Sequence, residues 1–205
     1  MIKTILFDFD GVILDSMKIK GDGFMELFKE YPKEARKQLE AYHYANGGIS
    51  RFEKIRYFFN HILSAEINDK SVDSLANAFA KIIKKRLNNK ENLIVETMGF
   101  IEENHLKYNL HIVSGAEHNE LNNLCDTLSI RQYFKSIDGS PVKKDILIKN
   151  LLKKHQYKAD ETILIGDSIN DWGAARANDV FFYGFNNINL RGVSGYIDSF
   201  RSFSI

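Results

Sequence analysis

Asp8 and Asp10 stand two apart at the end of an apolar segment, and Asp167 and Asp171 stand four apart within Gly166-Asp167-Ser168-Ile169-Asn170-Asp171. Gly11 follows the first pair and permits a backbone turn that other residues resist, so both carboxylates can reach one site. Two adjacent acids repel each other, and an isolated pair of this kind serves equally well as turn or capping aspartates. A third polar terminus, Ser114-Gly115, adds a hydroxyl and open backbone N–H groups after another apolar run. Gathered in one crevice, four carboxylates require a cation, and hard oxygen ligands favour Mg²⁺, which takes one or two carboxylates, waters and a substrate phosphate oxygen. Lys143 and Lys144, just after Gly139-Ser140-Pro141, can bring positive charge to the same edge.

Such convergence needs elements that end together. Residues 2–9, 110–113 and 162–165 are short runs rich in Ile, Leu, Val and Phe, each ending in small or acidic residues, the pattern of buried parallel strands. Residues 180–185 read as a further strand and 195–200 as a weaker one. Helical periodicity covers 97–108, 119–128, 144–156 and 171–178, so strand and helix alternate. This order predicts an α/β fold: a Rossmann-like, doubly wound, mostly parallel sheet that binds ligands outside the carboxyl ends of its strands. Residues 16–93 break the alternation with helical patterns at 23–29, 33–45, 51–63 and 72–87 and no convincing strand. The expected organisation is a core of residues 1–15 and 94–205 with a helical insertion over 16–93.

Composition excludes several classes. Hydrophobic residues at 44% and charged residues at 27% are globular usage, far from disordered chains. The net charge of +1 provides no global basic field for nucleic acid. Its distribution is uneven, since residues 17–91 hold 15 basic and 10 acidic side chains and therefore carry +5. A single cysteine, Cys125, excludes an intramolecular disulfide and a cysteine metal cluster and reads as a small core residue. The N-terminal segment is neither a secretory signal nor a membrane span, which needs about 20 apolar residues. A cytoplasmic location with no membrane partner is expected.

Taken in order, Asp8-Phe9-Asp10-Gly11-Val12, Ser114, a lysine near 144, and Gly166-Asp167-Ser168 followed by Asn170-Asp171 resemble the four sequential motifs of the haloacid dehalogenase superfamily of phosphotransferases. The resemblance runs from residue 4 to about 185. It implies a phosphatase acting on a small phosphorylated metabolite, such as a sugar phosphate, sugar-acid phosphate or nucleotide, with Mg²⁺ as cofactor. Asp8 would be the nucleophile that becomes an aspartyl-phosphate, and Asp10 would protonate the leaving oxygen and then activate water, its pKa helped upward by the neighbouring carboxylate. Asp8, the main-chain carbonyl of Asp10 and Asp167 would hold the metal, with Asp171 acting through water. Ser114 and Lys144 would bind the transferring phosphoryl oxygens. Lys144 is preferred to Lys143 because the family's lysine stands five residues after the glycine of a similar turn.

In the same resemblance the insertion corresponds to a helical cap, and Gly48-Ile49-Ser50-Arg51 is similar to the specificity loop of beta-phosphoglucomutase. Arg51 is therefore the leading cap residue for the substrate's distal part, with Lys54 and Arg56 behind it. Gly115, Lys20 and Asn46 are further substrate-binding candidates. His43 is read as packing or cleft-facing, and Tyr57-Phe58-Phe59 as cap core. Two alternatives remain: a phosphomutase of the beta-phosphoglucomutase type, and a non-catalytic binding protein on the same fold. An acid at position 10 disfavours carbon–halogen cleavage.

Overall fold

The computed structural model describes all 205 residues. Six strands, β1 (Thr4–Phe7), β2 (Asn109–Glu117), β3 (Ser136–Ser140), β4 (Thr162–Gly166), β5 (Phe181–Phe185) and β6 (Gly195–Ile197), form one sheet in the order β3-β2-β1-β4-β5-β6. Every neighbouring pair is parallel, where the sequence suggested only a mostly parallel sheet. The chain lays strands on one side of β1 and then returns to the other, so β1 and β4 flank the point where the order reverses.

Interior parallel strands are covered on both faces, which is why β1 and β4 read as continuous apolar runs rather than alternating ones. Ile5 and Phe7 of β1 belong to the layer that holds Phe100 and Ile101 of α5 (Val95–Asn104) and Leu121 and Cys125 of α6 (His118–Thr127). Leu6 points the other way, into a cluster with Ile148 and Leu151 of α7 (Lys144–His155) and Ala174 and Ala175 of α8 (Ile169–Arg176).

Residues 16–93 supply α1 (Met17–Leu27), α2 (Lys33–Ala45), α3 (Arg51–Tyr57), which continues into a π-helical turn at Phe58–Ile62, and α4 (Asp69–Leu87), with no strand among them. Phe24 stacks on Phe79 at 4.2 Å and Phe28 on Phe58 at 4.2 Å, tying α1 to α4 and to the π-helical turn. Phe58 is fully buried, as expected of the aromatic run, but Tyr57 turns outward and stacks on Tyr42 at 3.6 Å. No helix is long and apolar enough to cross a membrane.

Two elements differ from the expected ones for definable reasons. Strand β3 was not anticipated, because Ser-Ile-Asp-Gly-Ser has one strongly apolar side chain, and as a sheet edge it buries less than an interior strand. Helix α1 begins six residues earlier than expected, since Gly21 and Gly23 are poor helix formers that mask the pattern.

Gly11 fixes the first turn. Its φ is +79°, a region costly for any residue with a Cβ, and a Cβ there would lie 2.1 Å from Asp167 Oδ2. The turn can be tight only because the β1 and β4 ends come this close. Gly11→Ala is expected to destabilise the protein by about 2 kcal/mol or more, the sum of a left-handed backbone penalty and displacement of Asp167, read as a lowered urea midpoint at unchanged m-value.

Candidate active site

The register of the sheet assembles the site. Phe7 pairs with Ile112 on one side and Ile165 on the other, and the Asp8 N–H donates to the Ile165 carbonyl at 2.9 Å. Asp8, Ser114 and Asp167 thus emerge side by side at one carboxyl edge, at the reversal point. Asp8 and Ser114 are 1% exposed, Asp10 6%, Asp167 9% and Asp171 0%.

Lys144 enters from the start of α7 and sits 2.8 Å from Asp8 Oδ1 while also pairing with Asp171. Lys143 is exposed one residue earlier, so the geometry selects Lys144. Burial alone would favour the neutral amine, but Asp171 and Asp8 outweigh it and hold the Lys144 ammonium raised above the usual lysine range. Burial pushes Asp8 up to about 7, with Lys144 opposing and Asp171 and Asp10 reinforcing the rise.

Asp171 is fixed by its helix end. Its Oδ2 accepts from the Ser168 N–H at 3.0 Å and the Ser168 hydroxyl at 2.7 Å, while Ser168 Oγ accepts from the Asp171 N–H: a reciprocal cap at the start of α8. Both its oxygens are thereby engaged, one by Ser168 and one by Lys144. Asp167 is different: its Oδ1 is buried with no hydrogen-bond partner, and burial followed by the Asp8 and Asp171 charges raises its carboxyl well above the ordinary range. Ligand atoms of Asp8, Asp167 and Asp171 lie within 4.8 Å of one another. An orphaned carboxylate oxygen facing other oxygen donors fits a hard divalent cation such as Mg²⁺.

Asp10 departs from expectation. Its Oδ2 pairs with Lys20 and its Oδ1 accepts from the Ser16 hydroxyl. Although burial favours the protonated acid, Lys20 and Ser16 prevail and hold Asp10 below the usual carboxylate range. The expected upward shift from a neighbouring carboxylate is overturned by this pairing.

A cavity of about 770 Å³ opens beside Asp10, lined by Lys20, His43, Arg51, Lys54, Gly115 and Glu120 among others. The Gly115 position is bare for a reason, since a Cβ there would lie 2.5 Å from the Gly48 carbonyl oxygen of the loop before α3. His43 Nε2 lies 2.9 Å from the Met17 carbonyl, which can only accept, so Nε2 carries the proton and Nδ1 is free to accept from Lys54 Nζ at 3.0 Å. Burial and then the Lys54 charge push His43 down to about 3. Burial and then Lys20 push Lys54 down to about 7.

The structure brings Asp8, Asp10, Ser114, Lys144, Asp167 and Asp171 to one edge and Lys20, Arg51, Lys54 and Gly115 to the adjoining cavity. Asn46 is a correction: its amide turns back to the Tyr42 carbonyl at 3.0 Å, closing the end of α2, and it lines neither main cavity. Arg56 pairs instead with Asp69. Ser16, Ser168 and Glu120 were missed as site residues. Of these, Ser168 carries a readable signal, a serine three residues before an acid at a helix start.

Sequence comparison identifies a match to the haloacid dehalogenase-like hydrolase family over residues 5–185. The chain is 27% identical over 202 residues to a phosphoglycolate phosphatase of Vibrio parahaemolyticus, covering 91% of this chain and 86% of that protein. Among solved structures it resembles beta-phosphoglucomutase from Clostridium difficile, with TM-score 0.81 and 16% identity over 100% of this chain and 94% of the other. It also resembles CbbY from Rhodobacter sphaeroides in complex with xylulose-(1,5)bisphosphate, with TM-score 0.78 and 18% identity over 98% and 96%.

The crowding of Asp167 against Asp8 and Asp171 generates a paired prediction. Asp167→Asn removes buried repulsion and is expected to raise the stability of the metal-free protein by about 1 kcal/mol. Mg²⁺ binding at this edge would raise the wild-type Tm, by the equivalent of about 2.7 kcal/mol at a hundredfold excess over Kd, and the same variant is expected to lack that rise. Thermal unfolding with and without Mg²⁺ measures both, and an equal Mg²⁺ response in the two proteins removes Asp167 from the cation site.

Proposed function

The chain belongs to the haloacid dehalogenase-like hydrolase family, and on that premise we propose that it is a Mg²⁺-dependent phosphatase that takes the phosphoryl group of a small metabolite onto Asp8. The observation that carries this reading is the buried ion pair of Lys144 with Asp8 at 2.8 Å, at the sheet's reversal point and beside a second acid, Asp10. A carboxylate oriented by a fixed cation is a competent nucleophile, and it divides phosphoryl transfer into two steps.

In the first step an Asp8 oxygen forms a bond to phosphorus as the bond to the leaving oxygen breaks, and Asp10 gives that oxygen a proton. In the second, Asp10 takes a proton from water, which attacks the aspartyl-phosphate and regenerates Asp8. The ionised Asp10 paired with Lys20 is the form required for the second step. The first step needs the protonated form, so Lys20 must give way in that half of the cycle. Ser114 and Lys144 would donate to the transferring oxygens. Asp8, Asp167 and the main-chain carbonyl of Asp10 would hold Mg²⁺, with Asp171 acting through water, and the bound cation would supply the positive charge that lets a phosphate dianion approach this acidic edge.

In this reading residues 16–93 are a cap over a core of residues 1–15 and 94–205, and the cavity beneath the cap, lined by Gly115, Lys20, Lys54 and Arg51, receives the rest of the substrate. The similarity to a phosphoglycolate phosphatase supports a small phosphorylated metabolite as substrate.

A screen of phosphorylated metabolites with purified protein and Mg²⁺ tests the proposal, with stoichiometric release of inorganic phosphate distinguishing a phosphatase from a phosphomutase, which returns the group to substrate. Asp8→Asn keeps the side chain's shape but loses the nucleophile and is expected to reduce kcat by at least about a thousandfold, roughly 4 kcal/mol of barrier. Retention of more than about a tenth of the activity, a change below about 1.4 kcal/mol, refutes the assignment. Excess chelator should stop turnover and added Mg²⁺ restore it.

A further inference from the structure

Five cationic side chains line the large cavity from the helices over residues 17–87; Lys81 and Lys84 are exposed to solvent, and Lys20, Arg51 and Lys54 are withdrawn from it. Two of these three are already neutralised. Lys20 pairs with Asp10. Arg51 pairs with Glu120, which reaches it from α6, and the same guanidinium donates to the Ala76 carbonyl at 3.2 Å and lies over the Phe79 ring with its carbon 5.6 Å from the centroid. With its side chain 9% exposed and its fork shared between a carboxylate and a carbonyl, Arg51 has little left to offer a ligand.

Lys54 lies three residues further along α3, on the same face as Arg51. It is 3% exposed, pairs with no carboxylate, and has His43 Nδ1 as its hydrogen-bond partner, a neutral acceptor in the only tautomer that the Met17 carbonyl permits. Burial disfavours the charge on this amine, and an anion placed beside it would restore the ammonium and pair with it. Its position is close to the chemistry, within the electrostatic reach of Asp10, Asp167 and Asp8.

We propose that Glu120 is a specificity-determining residue: by occupying Arg51 it leaves Lys54, steadied by His43, as the cavity's one buried cation without a carboxylate partner, the seat for a second anion of the substrate. The seat offers a single positive charge near the leaving oxygen, which matches a carboxylate a few atoms from the phosphate. A distal phosphate would bring two negative charges and find its natural partner, the Arg51 fork, already taken. The substrate class is then the phosphomonoester of a short hydroxy acid, and bisphosphates are disfavoured. This deepens, and rests on, the phosphatase reading above.

The test uses hydrolysis of an aryl phosphate with Mg²⁺ as reporter and measures competitive inhibition by 2-phosphoglycolate and by xylulose-(1,5)bisphosphate. Wild type is expected to bind the short acid phosphate at least about tenfold more tightly than the bisphosphate. Glu120→Gln, which keeps the shape and removes the charge, should tighten the bisphosphate about tenfold and change the short acid phosphate by less than about threefold. Lys54→Met should weaken the short acid phosphate about tenfold or more with little effect on the bisphosphate. A ratio that Glu120→Gln leaves unchanged, a wild type that prefers the bisphosphate, or no binding of the short acid phosphate overturns the proposal. If wild type hydrolyses no aryl phosphate, it is the phosphatase reading that fails; the same two ligands are then followed by their shifts in Tm, and the same ratios decide on Glu120.

Discussion

Carboxylates forced together at the reversal point of the sheet are the constraint on which the rest of the structure depends. Asp8 follows β1 and Asp167 follows β4, and hydrogen bonding between those strands leaves no freedom to part the two acids. The chain answers with one cation of its own. Lys144 pairs with Asp8 and Asp171 and is kept charged by them despite its burial. One lysine cannot balance three acids, and the orphaned Asp167 oxygen marks where the balance is incomplete. The local fold thus carries an unmet demand for positive charge as a consequence of strand order, a demand that a hard cation bringing its own waters would meet.

This demand also explains why Asp171 is so firmly fixed. Were it free, a third mobile carboxylate would compete for Lys144 and loosen its hold on Asp8. Its reciprocal cap with Ser168 pins one oxygen to the start of α8 and presents the other to Lys144. Secondary-structure capping and site electrostatics are here the same hydrogen bonds, so damage to the cap of α8 would reach Asp8 through Lys144 even though Ser168 and Asp8 are not bonded to each other.

Much of this was legible in the chain. Parallel strands buried on both faces advertise themselves as apolar runs, and their polar ends name the site, which is why Asp8, Asp10, Ser114, Asp167 and Asp171 could be read from the amino-acid order. What could not be read was set by partners distant in sequence or by short polar elements. Strand β3 is edge-placed and nearly without apolar side chains. The ionisation of Asp10 depends on Lys20, one turn into α1, and on Ser16, just before that helix, while its sequence neighbour Asp8 points to the opposite shift. Asn46 looked like a cleft residue from its place before Gly47-Gly48, yet a helix end also needs its carbonyls satisfied, and that local need prevailed. Glu120 meets Arg51 across 69 residues of sequence, and no periodicity reports such a pair.

The helices over residues 17–87 face the opposite electrostatic problem. They carry an excess of basic residues, and five of these line the cavity, three of them withdrawn from solvent. Those three are handled differently: a carboxylate from the β1 end for Lys20, a carboxylate from α6 for Arg51, and only a neutral imidazole for Lys54. The first two pairings join these helices to the acidic side of the molecule and draw the two sides together with no ligand between them. They also use up charge that a substrate could otherwise have engaged. Closure and recognition therefore draw on the same small set of cations, and each internal pair that favours closure narrows the range of anions the cavity can accept. Lys54 escapes this competition because His43 holds its ammonium by a lone pair rather than by a charge, leaving the electrostatic attraction of that site unspent. The selectivity of such a cavity follows from how its own residues have divided the charges, and counting the cations that line it, without asking which are already paired, would predict the wrong ligand.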